Sequence, residues 1–252
     1  ITKFPDMDYE TARLKVEQSK KFIKKIDAVD RKKISHTDDL TLSMMRQHLQ
    51  TRVDGLPHYW NGFSITPYKF GSQGRGMRQV FLTYQFDDQD DQDIYLSLMD
   101  EYADHLNQQQ EKLKGQDDRG IRLPKPEFPL VMSLLDQYKS GMDATFIPID
   151  NRLSFFDDNA RGAFTSSIRK KLDAEVLPAL QKLIDFLNSD YKKRMPDNVG
   201  ASQYPGGEDY YNYMIEYHTN SGLSAIEIHG IGLKRVQELY EEMAKIRGQL
   251  GF

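Results

Sequence analysis

Apolar residues recur at helical spacing through most of the chain, and this periodicity constrains the fold more than any other feature. It is clearest over residues 9–29 and over residues 160–191, where Pro178 inside the run predicts a kink. The two stripes consist of Ala12, Val16, Ile23 and Ile26, and of Phe164, Ile168, Leu172, Val176, Leu180, Ile184 and Leu187. The pattern predicts an all-α fold, a multi-helix array.

An aromatic, glycine-bearing segment interrupts this pattern at residues 55–86, GLPHYWNGFSITPYKFGSQGRGMRQVFLTYQF. It shows no helical period, which predicts a long irregular insertion, ordered but not helical, with a short strand over residues 80–86. A phosphate-binding loop would need a strand before the glycines of residues 71–76 and a helix opening on them. A polar stretch precedes them and a β-like run follows, so nucleotide binding is not predicted.

Composition excludes several classes of protein. The 34 basic and 38 acidic side chains leave a net charge of −4, with no long basic run, which argues against a nucleic-acid partner. No apolar run approaches the roughly 18 residues of a membrane span. The absence of cysteine excludes disulfides, thiolate zinc sites and cysteine nucleophiles.

The length of 252 residues fits one helical domain over residues 1–252, and nothing in the composition indicates an oligomeric state. The sequence begins ITKFPDMDYE, without an initiator methionine or the apolar core of a signal peptide. This beginning predicts a trimmed or processed product.

No metal-binding motif is found. A helical zinc site of the common type needs His-Glu-x-x-His, which the sequence lacks. Glu101 and His105 share a helix face, but such a pair is typical of a solvated helix surface. The run DDQDDQD lacks the glycine of a calcium loop and fits the start of a helix better. We therefore predict no catalytic residue and no metal ligand within this chain.

The stretch YHTNSGLSAIEIHGIGL contains two of the six histidines, His218 and His229. Ser224 and Glu227 have the spacing of a capping box, in which each side chain bonds the other residue's backbone at a helix start. Gly222 supplies the tight turn before it. His229 lies two residues past Glu227 and so on another face of the helix. The spacing predicts a capped joint between two helices and not a metal site.

The same region carries a resemblance to a known family. PGGEDYYNYMIEYHTNSGLSAIEIHGIGLKRVQELYEEMAKI resembles the signature stretch of the bacterial family called domain of unknown function 885. The matching positions are Gly207, Tyr210, Tyr211, His218, Thr219, Leu223, Ser224, Glu227, Ile228, His229, Gly232, Leu233 and Val236. Similarity extends in order from about Asp38 to the end, and the joint is its most specific part.

The family is similar to zinc-dependent peptidases, commonly exported or lipid-anchored, and this resemblance sets the functional expectations. Its metal motif, of the form H-E-x-x-P-G-H-H, lies C-terminal to the region matched here. The sequence stops at IRGQLGF, where that half would begin. The resemblance thus implies the N-terminal part of a larger architecture, not catalytic by itself, with zinc in the missing half. It also implies a periplasmic or cell-envelope location, with the cytoplasm as the alternative and a lipid anchor in the precursor.

Within that reading, loops and helices of this chain form a wall of the substrate cleft for a peptide. Tyr211 and His218 are the candidates to stabilise an oxyanion, and Arg122 is the candidate clamp for a peptide carboxylate. Tyr210 and Trp60 are further candidates for the wall, whereas Gly207, Ser224, Glu227, His229 and Gly232 have structural roles in the signature. Each cleft candidate also has an architectural interpretation, because aromatic and capping residues commonly fill gaps between helices. The alternative function is a non-catalytic helical module of the cell envelope that binds a peptide or glycan through its aromatic loops.

Overall fold

The computed structural model describes residues 3–154 and 156–251, and the regular elements within these ranges are helical. The α-helices are α1 (Tyr9–Asp27), α2 (His36–Gly55), α3 (Pro67–Thr83), α4 (Asp90–Asp117), α5 (Phe128–Ser140), α6 (Met142–Phe146), α7 (Asp158–Lys171), α8 (Leu177–Phe186), α9 (Gly207–Thr219) and α10 (Ala225–Gln249). Short 3₁₀ turns lie at Arg31–Lys33, Leu56–His58, Lys125–Glu127, Asp150–Leu153 and Ala201–Gln203. No strand occurs in the described ranges, and the prediction of an all-α fold is confirmed.

Helices α1 and α2 pair along their length as a hairpin. Asp8 caps α1 by accepting from the Thr11 backbone N–H at 2.8 Å. The buried side of α1 carries Val16, Ile23 and Ile26, whereas α2 has no fully buried residue. Helix α2 is therefore an outer layer of the fold, and one of its faces is free to line a surface site.

The core forms around α4, the longest helix, which packs against α7 and α8. Its buried positions include Tyr95, Leu98, Tyr102 and Leu106, four of the residues on its inner stripe. The ring of Tyr95 lies edge-on to Phe81 at 5.4 Å between centroids, and its hydroxyl donates to the Phe146 carbonyl at 2.8 Å. The tyrosine thus fills the core with its ring and satisfies its buried polar atom at the same time.

The segment predicted as an irregular insertion contains a regular helix, so that part of the prediction is wrong. Thr66 caps α3 by accepting from the Lys69 backbone N–H at 3.2 Å, and Pro67 occupies the first turn. The predicted strand over residues 80–86 is also wrong, because α3 continues to Thr83 and residues 84–87 form a connection without strand pairing. The glycines misled the prediction. They allow close packing here, since a Cβ added at Gly74 would lie 2.5 Å from the Tyr138 ring.

Two further prolines lie in the first turn of a helix. Pro129 lies in the first turn of α5. In the long run before the joint, a π-helical turn at Leu172–Val176 separates α7 from α8, immediately before Pro178. A second π turn, Leu187–Tyr191, ends α8 and delivers Tyr191 into the core. The chain then reaches the loop that precedes α9.

Candidate functional site

The start of α9 is held by two glycines. Gly206 has a left-handed backbone with φ of 67°, which a residue with a side chain rarely adopts. Gly207 is buried, and a Cβ added there would collide with the Ala201 backbone carbonyl. This close approach presses the first turn of α9 onto the preceding 3₁₀ turn. Gly207 therefore has a packing role in the structure.

The turn between α9 and α10 satisfies its backbone groups locally. Asn220 ends α9 in the left-handed conformation, and its N–H donates to the Glu216 carbonyl at 2.8 Å. Ser224 and Glu227 then form the capping box that their spacing predicts. The Ser224 hydroxyl and the Ser224 N–H both donate to Glu227 Oε2, at 2.6 and 2.8 Å, and these two hydrogen bonds lower the pKa of Glu227. Both residues are committed to the joint.

The two histidines of the joint are exposed and lie on different helices. His218, near the end of α9, packs edge-on to the Tyr217 ring at 4.9 Å between centroids. His229 lies in the second turn of α10 and faces solvent. Within the described ranges, no group of three or more His, Asp or Glu side chains could hold a metal ion.

Tyr211 and His218 share one exposed face of α9. They are seven residues apart, which is two helical turns, and the Tyr211 side chain is 52% exposed. Tyr210 and Tyr213 face the body of the protein instead. Their rings pack on His58, with centroids 6.0 and 5.1 Å away, and burial raises the pKa of both phenols. The structure thus separates Tyr211 from Tyr210, which the sequence had grouped together.

Trp60 is half-buried and packs against an aromatic and a cationic side chain. Tyr9 stacks on it with a centroid distance of 6.0 Å, and the Arg119 guanidinium carbon lies 4.1 Å from the indole centroid. Gly115 lies against the indole edge, where an added Cβ would collide. These contacts hold the indole in place, and the residue also lines two surface cavities.

Arg122 is engaged within the fold. Its Nε donates to the Asp117 carboxylate and its Nη2 to the Asp117 carbonyl, the latter at 3.0 Å. Asp117 is buried and also pairs with Arg194, while Tyr204 donates to the Arg122 carbonyl. This network fixes the connection after α4. In the structure of this chain, Arg122 therefore holds an internal carboxylate.

His105 does not form the solvated pair that its spacing with Glu101 suggests. It is buried on α4, and its Nε2 lies 3.2 Å from the Gln109 amide nitrogen. Burial lowers the pKa of His105. The expectation of a surface pair was wrong because this face of α4 is covered by the segment before α1, which lines the same cavity.

Helix α10 presents a wide apolar face to solvent. None of its 25 residues is buried, Ile228 is half-buried, and eight other large apolar residues are 42% to 85% exposed. They are Ile226, Ile231, Leu233, Val236, Leu239, Tyr240, Met243 and Ile246. From Val236 to Leu250, steps of three and four residues alternate, and Leu233 and Tyr240 widen the stripe on one side. A stripe this wide is typical of a helix that packs into a globular core.

A cavity that the sequence did not reveal lies between α1, α2 and α9. Its volume is about 360 Å³, and it is lined by Lys15, His48, Arg52, Tyr59, Tyr213 and Tyr217 among others. The spacing of His48 and Arg52, four residues apart on α2, was a weak signal for it. The contribution of α9 could not be read from sequence, since it depends on tertiary packing.

The comparison with protein families decides the identity of the chain. The profile of the family described as "Bacterial protein of unknown function (DUF885)" matches residues 2–252. The chain belongs to the DUF885 family. The membership predicted from the joint is confirmed.

One solved structure shares the fold of this DUF885 chain. It is described as "The crystal structure of the putative lipoprotein from Colwellia psychrerythraea" and matches with a TM-score of 0.78 at 14% sequence identity. The match covers 97% of this chain and 44% of that chain, so this chain spans less than half the length of the solved one. Among curated proteins, no sequence matches this chain.

In the described ranges of this DUF885 chain, no helix is both long enough and apolar enough to cross a membrane.

The DUF885 signature residues divide into two sets. Gly207, Ser224 and Glu227 build the joint, as the preceding contacts show. Gly232 on α10 meets no atom within 4 Å of an added Cβ, and His229 faces solvent. The second set therefore has no packing partner among the described residues.

Proposed function

We propose that this chain is the N-terminal helical scaffold of a larger zinc-peptidase-like protein of the DUF885 family and forms one wall of its substrate cleft. The zinc ligands are contributed by polypeptide outside the 252 residues, and the scaffold alone is not catalytic. The observation that carries the proposal is the apolar face of α10, which the described residues leave largely exposed.

The energetics of α10 support this proposal. Fully burying a large apolar side chain contributes about 1.5–3 kcal/mol, so covering the exposed half of each adds roughly 1 kcal/mol. Eight such side chains lie on the face, which makes its exposure costly. Their charged neighbours are balanced, with Lys234, Arg235, Lys245 and Arg247 against Glu227, Glu238, Glu241 and Glu242. This balance argues against an anionic membrane surface as the cover and favours further polypeptide.

Two glycines in the same helix also support the proposal. Gly230 and Gly232 lie in the second and third turns of α10, and a Cβ added at either meets nothing within 4 Å. A glycine in a helix interior costs about 1 kcal/mol relative to alanine. Such a cost is offset where another backbone must approach closely. The covering polypeptide would therefore pack tightly against this end of α10.

The outward face of α9 supplies the functional groups of the proposed wall. Tyr211 and His218 place a phenol and an imidazole on one exposed face, next to the joint that leads into α10. A donor there could stabilise the negative charge that develops on a peptide carbonyl oxygen during hydrolysis. The residues around α9 thus have the chemistry of an oxyanion site.

We also propose a cell-envelope location with a lipid anchor in the precursor, and the cytoplasm is the alternative. The support is the description of the Colwellia protein of the same fold as a lipoprotein. Fractionation of cells that express the complete gene product, with globomycin to block lipoprotein processing, tests it. Recovery only in the soluble cytoplasmic fraction would contradict it.

The main test uses the complete gene product and the 252-residue chain side by side. We expect zinc-dependent peptide hydrolysis from the complete protein and none from the chain. Tyr211→Phe and His218→Ala should each lower kcat by about 10- to 1,000-fold with little change in KM, because an oxyanion donor acts in the transition state. Tyr68→Phe and His36→Ala, on exposed side chains of α3 and α2, are the matched controls.

Hydrolysis by the chain alone would refute the placement of the zinc ligands. Full activity of both α9 variants would refute the oxyanion role. A complete gene product that binds no zinc and hydrolyses no peptide would leave the alternative, a non-catalytic binding module. In that case the cavity between α1, α2 and α9 is the candidate site for its peptide or glycan ligand.

A further inference from the structure

The cavity between α1, α2 and α9 carries positive charge without a matching carboxylate. Its cations come from two helices, Lys15 on α1 and Arg52 on α2. Neither forms an ion pair with any of the described residues, and no Asp or Glu lines the cavity. Arg52 has one polar contact, at 3.4 Å to His48 Nε2, which must be the acceptor because a guanidinium only donates. Two unpaired cations at one cavity favour an anionic ligand.

The acids of the adjoining helices are engaged elsewhere. Asp54, near the end of α2, accepts from the Gln50 amide at 2.8 Å. Glu216 on α9 accepts from the Gly222 backbone N–H at 3.0 Å. They are fixed by these contacts and do not line the cavity. Lys15 therefore keeps its donors free for a ligand, and Arg52 keeps all but the one that contacts His48.

The rest of the cavity wall is aromatic and apolar, and it is already held in place. Tyr213 donates to the Thr51 carbonyl at 3.2 Å, and its ring stacks on His58 with an interplanar angle of 25°. Gly55 makes this seat, since a Cβ added there would collide with the Tyr213 hydroxyl. These contacts hold Tyr213 in place beneath the cations, where its ring offers aromatic surface to a ligand.

We propose that this cavity binds the C-terminal carboxylate of a peptide whose last side chain is aromatic or large and apolar. Arg52 and Lys15 hold the carboxylate, and the last side chain lies between Tyr213 and the apolar wall at Val16 and Leu56. Charge complementarity supports the carboxylate, because Arg pairs with it through two parallel hydrogen bonds. The volume of about 360 Å³ accepts one or two residues and excludes a folded partner.

This inference deepens the proposed function, on which it rests for the choice of a peptide, by naming the end of the substrate that binds. It requires only this chain, because all its groups lie on α1, α2, α9 and the turn after α2. Binding can therefore be measured without the zinc-binding half. The two proposals can fail separately.

The decisive probe is a pair of ligands that differ in one group. N-acetyl-phenylalanine carries a carboxylate, and N-acetyl-phenylalaninamide replaces it with a neutral amide. Titration of the ¹⁵N-labelled chain, followed by NMR, should show the acid binding at least about tenfold more tightly, since bonds to charged groups are the stronger ones. Shifts should map to α1, α2 and α9. Equal affinities, or no shifts at these helices with either ligand, would overturn the proposal.

Substitutions of Arg52 and Lys15 test whether these two cations bind the carboxylate. Arg52→Gln and Lys15→Gln should each weaken binding of the acid about tenfold and leave binding of the amide unchanged. Lys24→Gln, on the same helix as Lys15 but outside the cavity, is the matched control. Unchanged affinity in Arg52→Gln would refute the role of the guanidinium. Displacement of the acid by inorganic phosphate at equal concentration would identify a general anion site and also refute the proposal.

In the complete gene product, Arg52→Gln should raise KM about tenfold for peptides ending in phenylalanine and leave kcat unchanged. A lowered kcat with unchanged KM would contradict a binding role. If the complete protein hydrolyses nothing while the chain still prefers the acid, the proposed function fails and the carboxylate site stands. If hydrolysis is found without that preference, the reverse holds.

Discussion

Gly74 and Gly76 of α3 offer a direct test of why a glycine-rich segment folds as a helix. Both lie in the helix interior, two residues apart. A Cβ added at Gly74 would lie 2.5 Å from one ring carbon of Tyr138 and 2.6 Å from its oxygen, whereas one added at Gly76 meets nothing within 4 Å. The two positions thus share a backbone environment and differ in what their side chains would touch.

The expected effects have opposite signs. Glycine to alanine in a helix interior gains about 1 kcal/mol, and this gain should appear in full for Gly76→Ala. Forcing atoms into a packed site costs about 1–3 kcal/mol, and the Tyr138 ring is buried, so after the gain of about 1 kcal/mol Gly74→Ala should lose roughly 1 kcal/mol net. At about 2–4 °C per kcal/mol for a chain of this size, Tm should fall by about 2–4 °C for Gly74→Ala and rise by about 2–4 °C for Gly76→Ala.

A double-mutant cycle isolates the cause. In a Tyr138→Ala background the ring is gone, so Gly74→Ala should become stabilising by about 1 kcal/mol, as at Gly76. Unfolding by urea, followed by circular dichroism, gives each free energy. If Gly74→Ala has the same sign in both backgrounds, close approach to Tyr138 is not the reason for this glycine.

Three further predictions follow from other parts of the structure. Met243→Glu on α10 should change the stability of the chain by less than about 0.5 kcal/mol but lower that of the complete gene product by several kcal/mol, and equal effects would argue against a covered face. Burial lowers the pKa of His105 in the folded state, so the unfolded state binds a proton at a higher pH than the folded state does. The free energy of unfolding should therefore decrease as the pH drops below about 6.5. Urea unfolding of His105→Gln should show a smaller decrease over the same pH range. Asp117→Ala should cost about 3–5 kcal/mol by leaving Arg122 without its buried partner, whereas the exposed Asp118→Ala should cost little in the same assay.

The helical stripes were readable because each depends on residues close in sequence. The stripe over residues 160–191, the π turn before Pro178 and the capping box at Ser224 all follow from local spacing and local hydrogen bonds. The α3 stripe has the same period, at Phe70, Gly74, Met77 and Phe81, all of them buried. It was missed because a glycine stands where an apolar side chain was expected, and the reason lies on a distant helix.

The candidate site was less readable for the same physical reason. Arg122 has the chemistry to clamp a carboxylate, but its spacing does not show that Asp117 already occupies it. Trp60 looked like an exposed platform, but Tyr9 and Arg119 from other parts of the chain pack against it. Composition and spacing identify what a side chain can bind. They do not identify which residue of the same fold already contacts that side chain.

Helix α9 shows how one short element can serve both the fold and a site. Tyr210, Tyr213 and Tyr217 follow steps of three and four residues, so they share a face, and that face meets His58 and the α2 cavity. Tyr211 and His218 lie about a quarter turn away and point outward. Packing of the first face fixes the orientation of the second. An alanine at Gly55 would collide with Tyr213 and should therefore shift the orientation of Tyr211 and His218, although it contacts neither residue. The Gly55→Ala variant thus tests the proposed cleft wall from a distance.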